Sequence, residues 1–136
     1  MKVRHATILS LFCFLLCAGC GIVRTKYELP ESASAFQKQR AMRIVDATAG
    51  RLGFTTDTQE TMRRHKEGAP SYRRYYKGSV VIHAEITSRV AYVFLSRGGV
   101  TKTSTFREAE AALTANLREV SPDVVIITGY VPNPMM

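Results

Sequence analysis

The chain has 136 residues, which is the length of one small domain and leaves no room for a second domain of ordinary size. Hydrophobic residues make up 46% of it, so a packed core is feasible. The net charge of +8 points to anionic partners or surfaces but does not discriminate between folds.

The first nineteen residues have the parts of a secretory signal. Lys2 and Arg4 give a short basic region, and an uncharged apolar run of nine residues follows from Ile8 to Leu16. This run is too short to span a bilayer as a helix, which needs about 20 residues. It is typical of the apolar part of a signal peptide.

The small residues Ala18 and Gly19 then precede Cys20. This arrangement resembles the signal of bacterial lipoproteins, in which an aliphatic residue and small residues precede the cysteine that receives the lipid. The resemblance implies cleavage by signal peptidase II between Gly19 and Cys20, with the lipid on Cys20. It departs from the usual pattern at Cys17, where leucine is common. An ordinary secreted protein and an uncut N-terminal anchor are the alternatives.

Cleavage before Cys20 would remove the other two cysteines, Cys13 and Cys17, along with Lys2 and Arg4. The remaining chain would have 17 basic and 11 acidic residues, a net charge of +6. With its one thiol lipidated, it would have none for a disulfide, a zinc site or a catalytic nucleophile. We therefore expect no metal and no cofactor besides the covalent lipid on Cys20.

The resemblance also implies a location. In Gram-negative lipoproteins, an Asp directly after the lipidated cysteine favours retention in the inner membrane, and this chain has Gly21 there. We therefore expect a lipid-anchored protein of the bacterial cell envelope, at the outer membrane and facing the periplasm. The membrane, reached through the lipid anchor, is then the first expected partner.

The pattern along the chain predicts four parts. Residues 1–19 form the signal peptide and residues 20–32 the lipidated cysteine and a tether, because Gly21 to Ser32 shows no hydrophobic periodicity and contains Pro30. Residues 33–131 form a single domain, and residues 132–136 a flexible tail.

Two amphipathic helices are predicted within the domain. The first follows a capping box of Ser34 and Gln37 and ends at Gly53. The second follows a capping box of Thr105 and Glu108 and ends before Pro122. Their predicted buried stripes are Ala41, Ile44, Val45, Thr48 and Leu52 in the first helix, and Phe106, Ala109, Leu113, Leu117 and Val120 in the second.

The strands are predicted from alternation and from β-forming residues. Residues 79–87 alternate apolar with polar, residues 89–96 are apolar on both faces, and residues 124–130 suit a short buried strand. Residues 54–61 are a weaker strand candidate. The sequence therefore predicts a two-layer α+β domain, with both helices on one face of a three- to four-stranded sheet.

The segment from Met62 to Gly78 concentrates positive charge. It has six cations against the single acid Glu67, and three tyrosines lie among the second group of cations. We interpret it as a two-armed basic loop that binds an anionic group, since guanidinium binds phosphate or carboxylate through two donors. A solvated loop without a ligand is the alternative. The candidate anion-binding residues are Arg63, Arg64, Lys66, Arg73, Arg74, Lys77, Tyr72, Tyr75 and Tyr76.

One pair of side chains could support catalysis. His83 and Glu85 are two residues apart on a predicted strand, so they lie on one face, where a carboxylate can orient a histidine base. No serine has the context of a nucleophile elbow, and no glycine-rich phosphate loop is present. We therefore assign no catalytic residue, and an envelope hydrolase centred on His83 and Glu85 is the alternative function.

The predicted order of helix, three strands and helix also resembles that of double-stranded-RNA-binding domains. Those domains open their last helix with a dense lysine cluster, where this chain has only Lys102 and Arg107. We therefore expect no nucleic-acid partner. The leading interpretation is an envelope lipoprotein whose domain binds an anionic envelope component or an envelope protein, or supports an envelope assembly.

Overall fold

The computed structural model describes residues 21–132, so the predicted signal peptide, its cleavage point, Cys20 and most of the predicted tail lie outside the described residues. Within this range, the chain forms three helices and six strands. They are β1 (Ile22–Leu29), α1 (Ala35–Arg51), β2 (Thr55–Thr56), α2 (Thr58–Lys66), β3 (Arg73–Lys77), β4 (Val80–Ile86), β5 (Ala91–Gly98), α3 (Ser104–Val120) and β6 (Val125–Val131).

All six strands form one antiparallel sheet in the order β2-β3-β4-β5-β1-β6. The fold is therefore α+β, as the sequence predicts, but with six strands rather than three or four and with a third helix. Helices α1 and α3 cover one face of the sheet: Tyr75 bonds Asp46 of α1, and Tyr27 donates to the carbonyl of Glu110 in α3 at 3.0 Å. The short helix α2 contacts the other face, where Arg64 lies 3.6 Å from Glu85.

The predicted tether is wrong, because most of it is strand β1. This strand lies between β5 and β6 and pairs with both along its length. Its side chains alternate between the helix-covered face and the other face, with Val23, Thr25, Tyr27 and Leu29 all buried. The domain therefore begins at least ten residues before the predicted boundary of 33.

A buried polar residue explains why the alternation in β1 is hard to recognise. Thr25 interrupts the apolar set, and its hydroxyl donates to the Glu110 carboxylate at 3.1 Å. The Tyr27 hydroxyl lies 3.0 Å from that of Thr114, and burial raises the pKa of Tyr27 to about 12. The partners that make these polar groups tolerable in the core are more than 80 residues away in sequence.

Helix α1 begins as predicted. The Ser34 side chain accepts from the backbone N–H of Gln37, and the Gln37 side chain accepts from that of Ser34, at 3.1 and 2.9 Å. Gly53 follows the helix with φ +77°, a conformation that an L side chain rarely adopts. The buried face is shifted from the predicted one, because Met42 and Ala49 are fully buried whereas the predicted Ile44 and Leu52 are only partly buried.

Helix α3 has the predicted buried stripe but a different start. Phe106, Ala109, Leu113, Leu117 and Val120 are its buried residues. The capping residue is Thr103, whose hydroxyl accepts from the N–H of Phe106, rather than the predicted Thr105. The helix thus starts earlier than the predicted box allows.

The region between α1 and β4 differs from the prediction. Strand β2 is only two residues long, and Asp57 then caps α2 by accepting from the N–H of Glu60 at 3.2 Å. The predicted basic loop is accordingly a helix, a short connection and the strand β3. Helix α2 tolerates its many cations because Arg63 forms ion pairs with Glu60 and Glu67, each about one helical turn away.

The last strand is also not the buried strand that its apolar composition predicts. β6 pairs only with β1 and is an edge strand, and Val125 and Ile127 are largely exposed. The exposed side chains of Val125 and Ile127 make this edge of the sheet apolar on its surface.

Candidate anion-binding face

The sheet face opposite α1 and α3, here called the open face, presents its residues in aligned rows. In one row, His83 pairs with Phe94, Phe94 with Lys26, and Lys26 with Ile127. Paired residues of antiparallel strands share a face, so these side chains are neighbours. The row on one side contains Ser96, Arg24 and Gly129. The row on the other side contains Glu85, Tyr92, Glu28 and Val125.

Four aromatic rings form a small cluster on the open face. The ring of His83 lies 4.8 Å from that of Phe94 and 6.0 Å from that of Tyr72, measured between centroids. Tyr92 meets Phe94 edge to face at 5.1 Å. Such contacts hold the rings in fixed orientations. The packed rings make the centre of the open face rigid, although neither α1 nor α3 covers it.

Cations cover this aromatic cluster. The Arg24 guanidinium carbon is 4.9 Å from the centre of the Phe94 ring, and Lys26 Nζ is 5.7 Å from it. Arg64 lies over Tyr72 at 5.0 Å. The negative face of an aromatic ring attracts a cation, so these three charges are positioned rather than freely moving.

Arg24 differs from its neighbours in having no carboxylate partner among residues 21–132. Lys26 pairs with Glu28 at 2.7 Å, Arg64 with Glu85 at 3.6 Å and Arg74 with Asp57 at 3.3 Å. The charge of Arg24 is balanced by no acidic side chain in this range and is therefore available to an anion from outside.

A shallow pocket of about 320 Å³ lies beside Arg24, against the paired strands β1 and β6. The exposed Ile127 forms its apolar wall, and Gly129 leaves space because no atom lies within 4 Å of where a Cβ would be. The pocket residues are Arg24, Lys26, Ile127, Thr128, Gly129, Tyr130 and Val131. Two cations beside an apolar wall suit a ligand with an anionic group and a less polar part.

The predicted basic residues do not form one surface. Arg63 pairs with Glu60 and Glu67 of its own helix, both at 2.6 Å, and the pKa of Glu60 is lowered by its bond to Arg63. Lys66 is an exposed residue of α2. Arg63 and Lys66 are close in sequence because they belong to the same helix, and they do not share a binding site.

Strand alternation divides the second basic group between the two faces. Arg73 and Tyr75 are on the helix side, where both meet Asp46, with Arg73 at 3.0 Å. Burial and the Asp46 bond raise the pKa of Tyr75. Lys77, on the same side, donates to the carbonyl of Leu52 at 2.7 Å.

The rest of the group lies toward the open face. Arg74 pairs with His83 in the register and Tyr76 with Val81. The ring of Tyr72 stacks against His83. Of the predicted residues, the structure therefore brings Arg64, Tyr72, Arg74 and Tyr76 to the open face and separates the others from it.

The predicted catalytic alternative has little geometric support. Burial, then the positive charges of Arg74, Arg24 and Arg64, lower the pKa of His83 to about 4, against the opposing effect of Glu85. A histidine with such a pKa is a weak base near neutral pH. Glu85 is bonded by the Tyr92 hydroxyl and paired with Arg64, and burial and the Glu85 bond raise the pKa of Tyr92.

The described residues contain neither grouped metal ligands nor a membrane-spanning helix. Within residues 21–132, no three His, Cys, Asp or Glu side chains are grouped as a metal site would require. None of the helices in this range is long and apolar enough to cross a bilayer.

Sequence reasoning missed Arg24, Lys26 and Ile127 as site residues. The first two fall in the segment predicted to be a tether, and Ile127 falls in a strand predicted to be buried. The signal for Arg24 and Lys26 was present in residues 22–29, where apolar or hydroxyl side chains alternate with charged ones. Whether Ile127 is exposed depends on which strand lies at the edge of the sheet, and no local sequence pattern predicts the strand order.

No family model matches the chain, and no curated protein matches it. Among solved structures it is similar to the solution NMR structure of a de novo designed protein with a ferredoxin fold. The two share 12% sequence identity and a TM-score of 0.38, over 80% of this chain and 83% of the designed one.

Proposed function

We propose that this chain is a lipid-anchored protein of the bacterial envelope, whose domain binds a phosphate- or carboxylate-bearing envelope component on its open face. The anchor is the lipid on Cys20, and the protein faces the periplasm from the outer membrane. The ligand site is the pocket against the paired strands β1 and β6, with Arg24 and Lys26 as its anion-binding residues.

Support for the anchor comes from the sequence. The basic start, the short apolar run and the small residues before Cys20 together resemble a lipoprotein signal. Several acyl chains on one residue hold a protein stably on a membrane, whereas a single chain does not. A separate membrane-spanning helix is therefore unnecessary for this location.

The observation that carries the binding proposal is the position of Arg24. Its guanidinium lies over Phe94, borders the pocket and meets no carboxylate of the described residues. A cation that is already oriented loses little conformational entropy when an anion binds it. Lys26, although paired with Glu28 at 2.7 Å, is a further donor on the same side of the pocket, and Ile127 supplies apolar contact area.

The proposal is tested by co-sedimentation of a chain of residues 21–136, which holds every described helix and strand but no lipid, with three envelope materials. These are peptidoglycan sacculi, lipopolysaccharide micelles and vesicles containing an anionic phospholipid. The pocket variant carries Arg24→Gln and Lys26→Gln. A matched control carries Arg40→Gln and Lys66→Gln, which removes the same charge from exposed positions on α1 and α2.

We expect the wild-type chain and the control to sediment with at least one material, and the pocket variant to lose that binding. Which material does so identifies the ligand. Equal loss in the pocket variant and the control would show general charge attraction and contradict a defined site. Binding to none of the three would also contradict the proposal.

A further inference from the structure

The chain enters the domain at one end of the sheet, which we call the entry end. It comprises Gly21, Ile22, the turn 78–79, the loop 99–103 and the end of β6. Gly21 is buried, and its carbonyl accepts a hydrogen bond from the N–H of Gly99 at 2.8 Å. A Cβ on Gly21 would lie 1.9 Å from the Tyr130 hydroxyl. Glycine at this position is thus explained by close packing.

This entry leaves no room for a tether. Cys20 directly precedes Gly21, and β1 begins at Ile22. Two residues span at most about 7 Å even when fully extended. A lipid on Cys20 would therefore bring the entry end to the bilayer surface.

Exposed apolar side chains surround the point of entry. Ile22 is 42% exposed, Val100 54% and Tyr130 43%. They come from three separate segments, namely the first strand, the loop after β5 and the last strand. Apolar and aromatic side chains of this kind favour the interface between lipid headgroups and acyl chains.

The two ends of the sheet also differ in charge. At the entry end, residues 52–54, 78–79 and 99–103 connect the elements and contain one cation, Lys102, and no acid. Lys77 and Arg97 flank these connections. Arg97 donates to Ser79 and to the carbonyl of Thr101, and pairs with no carboxylate in the described chain.

At the opposite end, residues 30–34, 67–72, 87–90 and 121–124 connect the elements. They contain the acids Glu31, Glu67 and Asp123 and the single cation Arg89. These connecting segments are therefore more positive where the chain enters, but Lys102 pairs with Glu110 at 2.9 Å, and Lys66, Arg73 and Arg74 lie beside the opposite end. Lys77 and Arg97, which pair with no carboxylate in the described chain, are the cations of the entry end that an anionic membrane surface attracts.

We propose that the entry end is a membrane-docking surface, and that its partner is the headgroup layer of an anionic bilayer. This rests on the proposed lipidation of Cys20. Ile22, Val100 and Tyr130 reach the headgroup region, and Lys77 and Arg97 meet lipid phosphates. The strands then stand away from the membrane, and the open face with its pocket points sideways into the periplasm.

The orientation is measured with a fluorophore attached to single cysteines. Processing before Cys20 leaves no free thiol in the mature chain, so each added cysteine is labelled alone. Val100→Cys reports the entry end, Ser88→Cys the turn at the opposite end, and Ile127→Cys the open face. Strand β5, of eight residues, separates the first two positions by about 26 Å.

The lipidated chain is reconstituted into anionic vesicles whose headgroups carry a nitroxide quencher. We expect the label at position 100 to lose most of its fluorescence, the label at 88 to lose almost none, and the label at 127 to fall between them. Equal quenching at 100 and 88 would overturn a fixed orientation. Strongest quenching at 127 would mean that the open face lies on the membrane, and would also overturn the proposal.

The mass of the N-terminal peptide, measured on the same samples, distinguishes failure of the docking surface from failure of the proposed lipid anchor. With acyl chains on Cys20, a failed quenching pattern refutes only the docking surface. Without acyl chains on Cys20, the anchor and the docking surface fall together. The pocket variant, tested on the same vesicles, should keep the wild-type quenching pattern, because Lys77, Arg97 and the apolar side chains are unchanged.

Discussion

His83 is enclosed by rings and cations that disfavour its charged form. Its pKa falls from the ordinary 6.5 to about 4, first through burial and then through Arg74 and the other cations. Between these two values the unfolded chain binds a proton that the folded chain does not. Protonation therefore favours unfolding, and stability falls as the pH drops from 6.5 to about 4.

His83→Phe keeps an aromatic ring in the cluster and removes this titration. Relative to wild type, we expect its stability to fall less between pH 6.5 and 4, by roughly 3 kcal/mol at most. Urea unfolding at several pH values measures the difference. A His83→Phe curve parallel to that of wild type would show that His83 is not enclosed.

Tyr27 tests the core position of the first strand. It is fully buried, and its hydroxyl donates to the carbonyl of Glu110. Tyr27→Phe should cost about 1 kcal/mol of unfolding free energy, and Tyr27→Ala about 3–5 kcal/mol. Lys26→Ala, its neighbour on the open face, should change the unfolding free energy far less. An Ala variant as stable as wild type would place this segment outside the core.

At the scale of elements, the position of β1 inside the sheet has a direct consequence. Removing it would separate β6 from the one strand that pairs with it among residues 21–132 and expose one side of β5. A chain of residues 33–136 should therefore fail to fold, whereas a chain of residues 21–136 should fold. Circular dichroism and thermal unfolding compare the two. A cooperative transition in the shorter chain would contradict the strand order described here.

Helix α3 provides a test of the core that does not depend on β1. Leu113 is fully buried within the cluster that joins α1, α3 and the sheet. Leu113→Ala should cost roughly 2–5 kcal/mol because it leaves a cavity. Arg118→Ala, an exposed position of the same helix, should cost less than about 0.5 kcal/mol.

The sequence predicts those elements whose signals are local. Helices α1 and α3 have caps and stripes within a few turns, and β4 has clear alternation. The signal in β1 is obscured, because its buried Thr25 is made tolerable only by Glu110, far along the chain. The candidate site likewise depends on the strand order, which no local pattern gives. Arg24 contacts Phe94 because β1 pairs with β5, and Ile127 lies at the sheet edge because β6 pairs with β1.

At the scale of the whole molecule, the proposed lipid, the proposed docking surface and the pocket combine into one arrangement. If Cys20 is lipidated, the entry end lies at the membrane and the strands hold the open face beside the bilayer. Arg24 lies one row in from the entry end, since Ile22 pairs with Gly98 and Arg24 with Ser96. A ligand in the pocket would thus be bound close to the headgroups.

The central claim of this account is the lipid on Cys20, and mass spectrometry of the N-terminal peptide of the mature protein tests it most directly. We predict that the mature chain begins at Cys20 and carries a diacylglyceryl group on its sulfur and a further acyl chain on its amine. Cys20→Ser should accumulate as the uncleaved precursor without fatty acid. A mature chain that begins at any other residue, or an unmodified Cys20 thiol, would contradict the account.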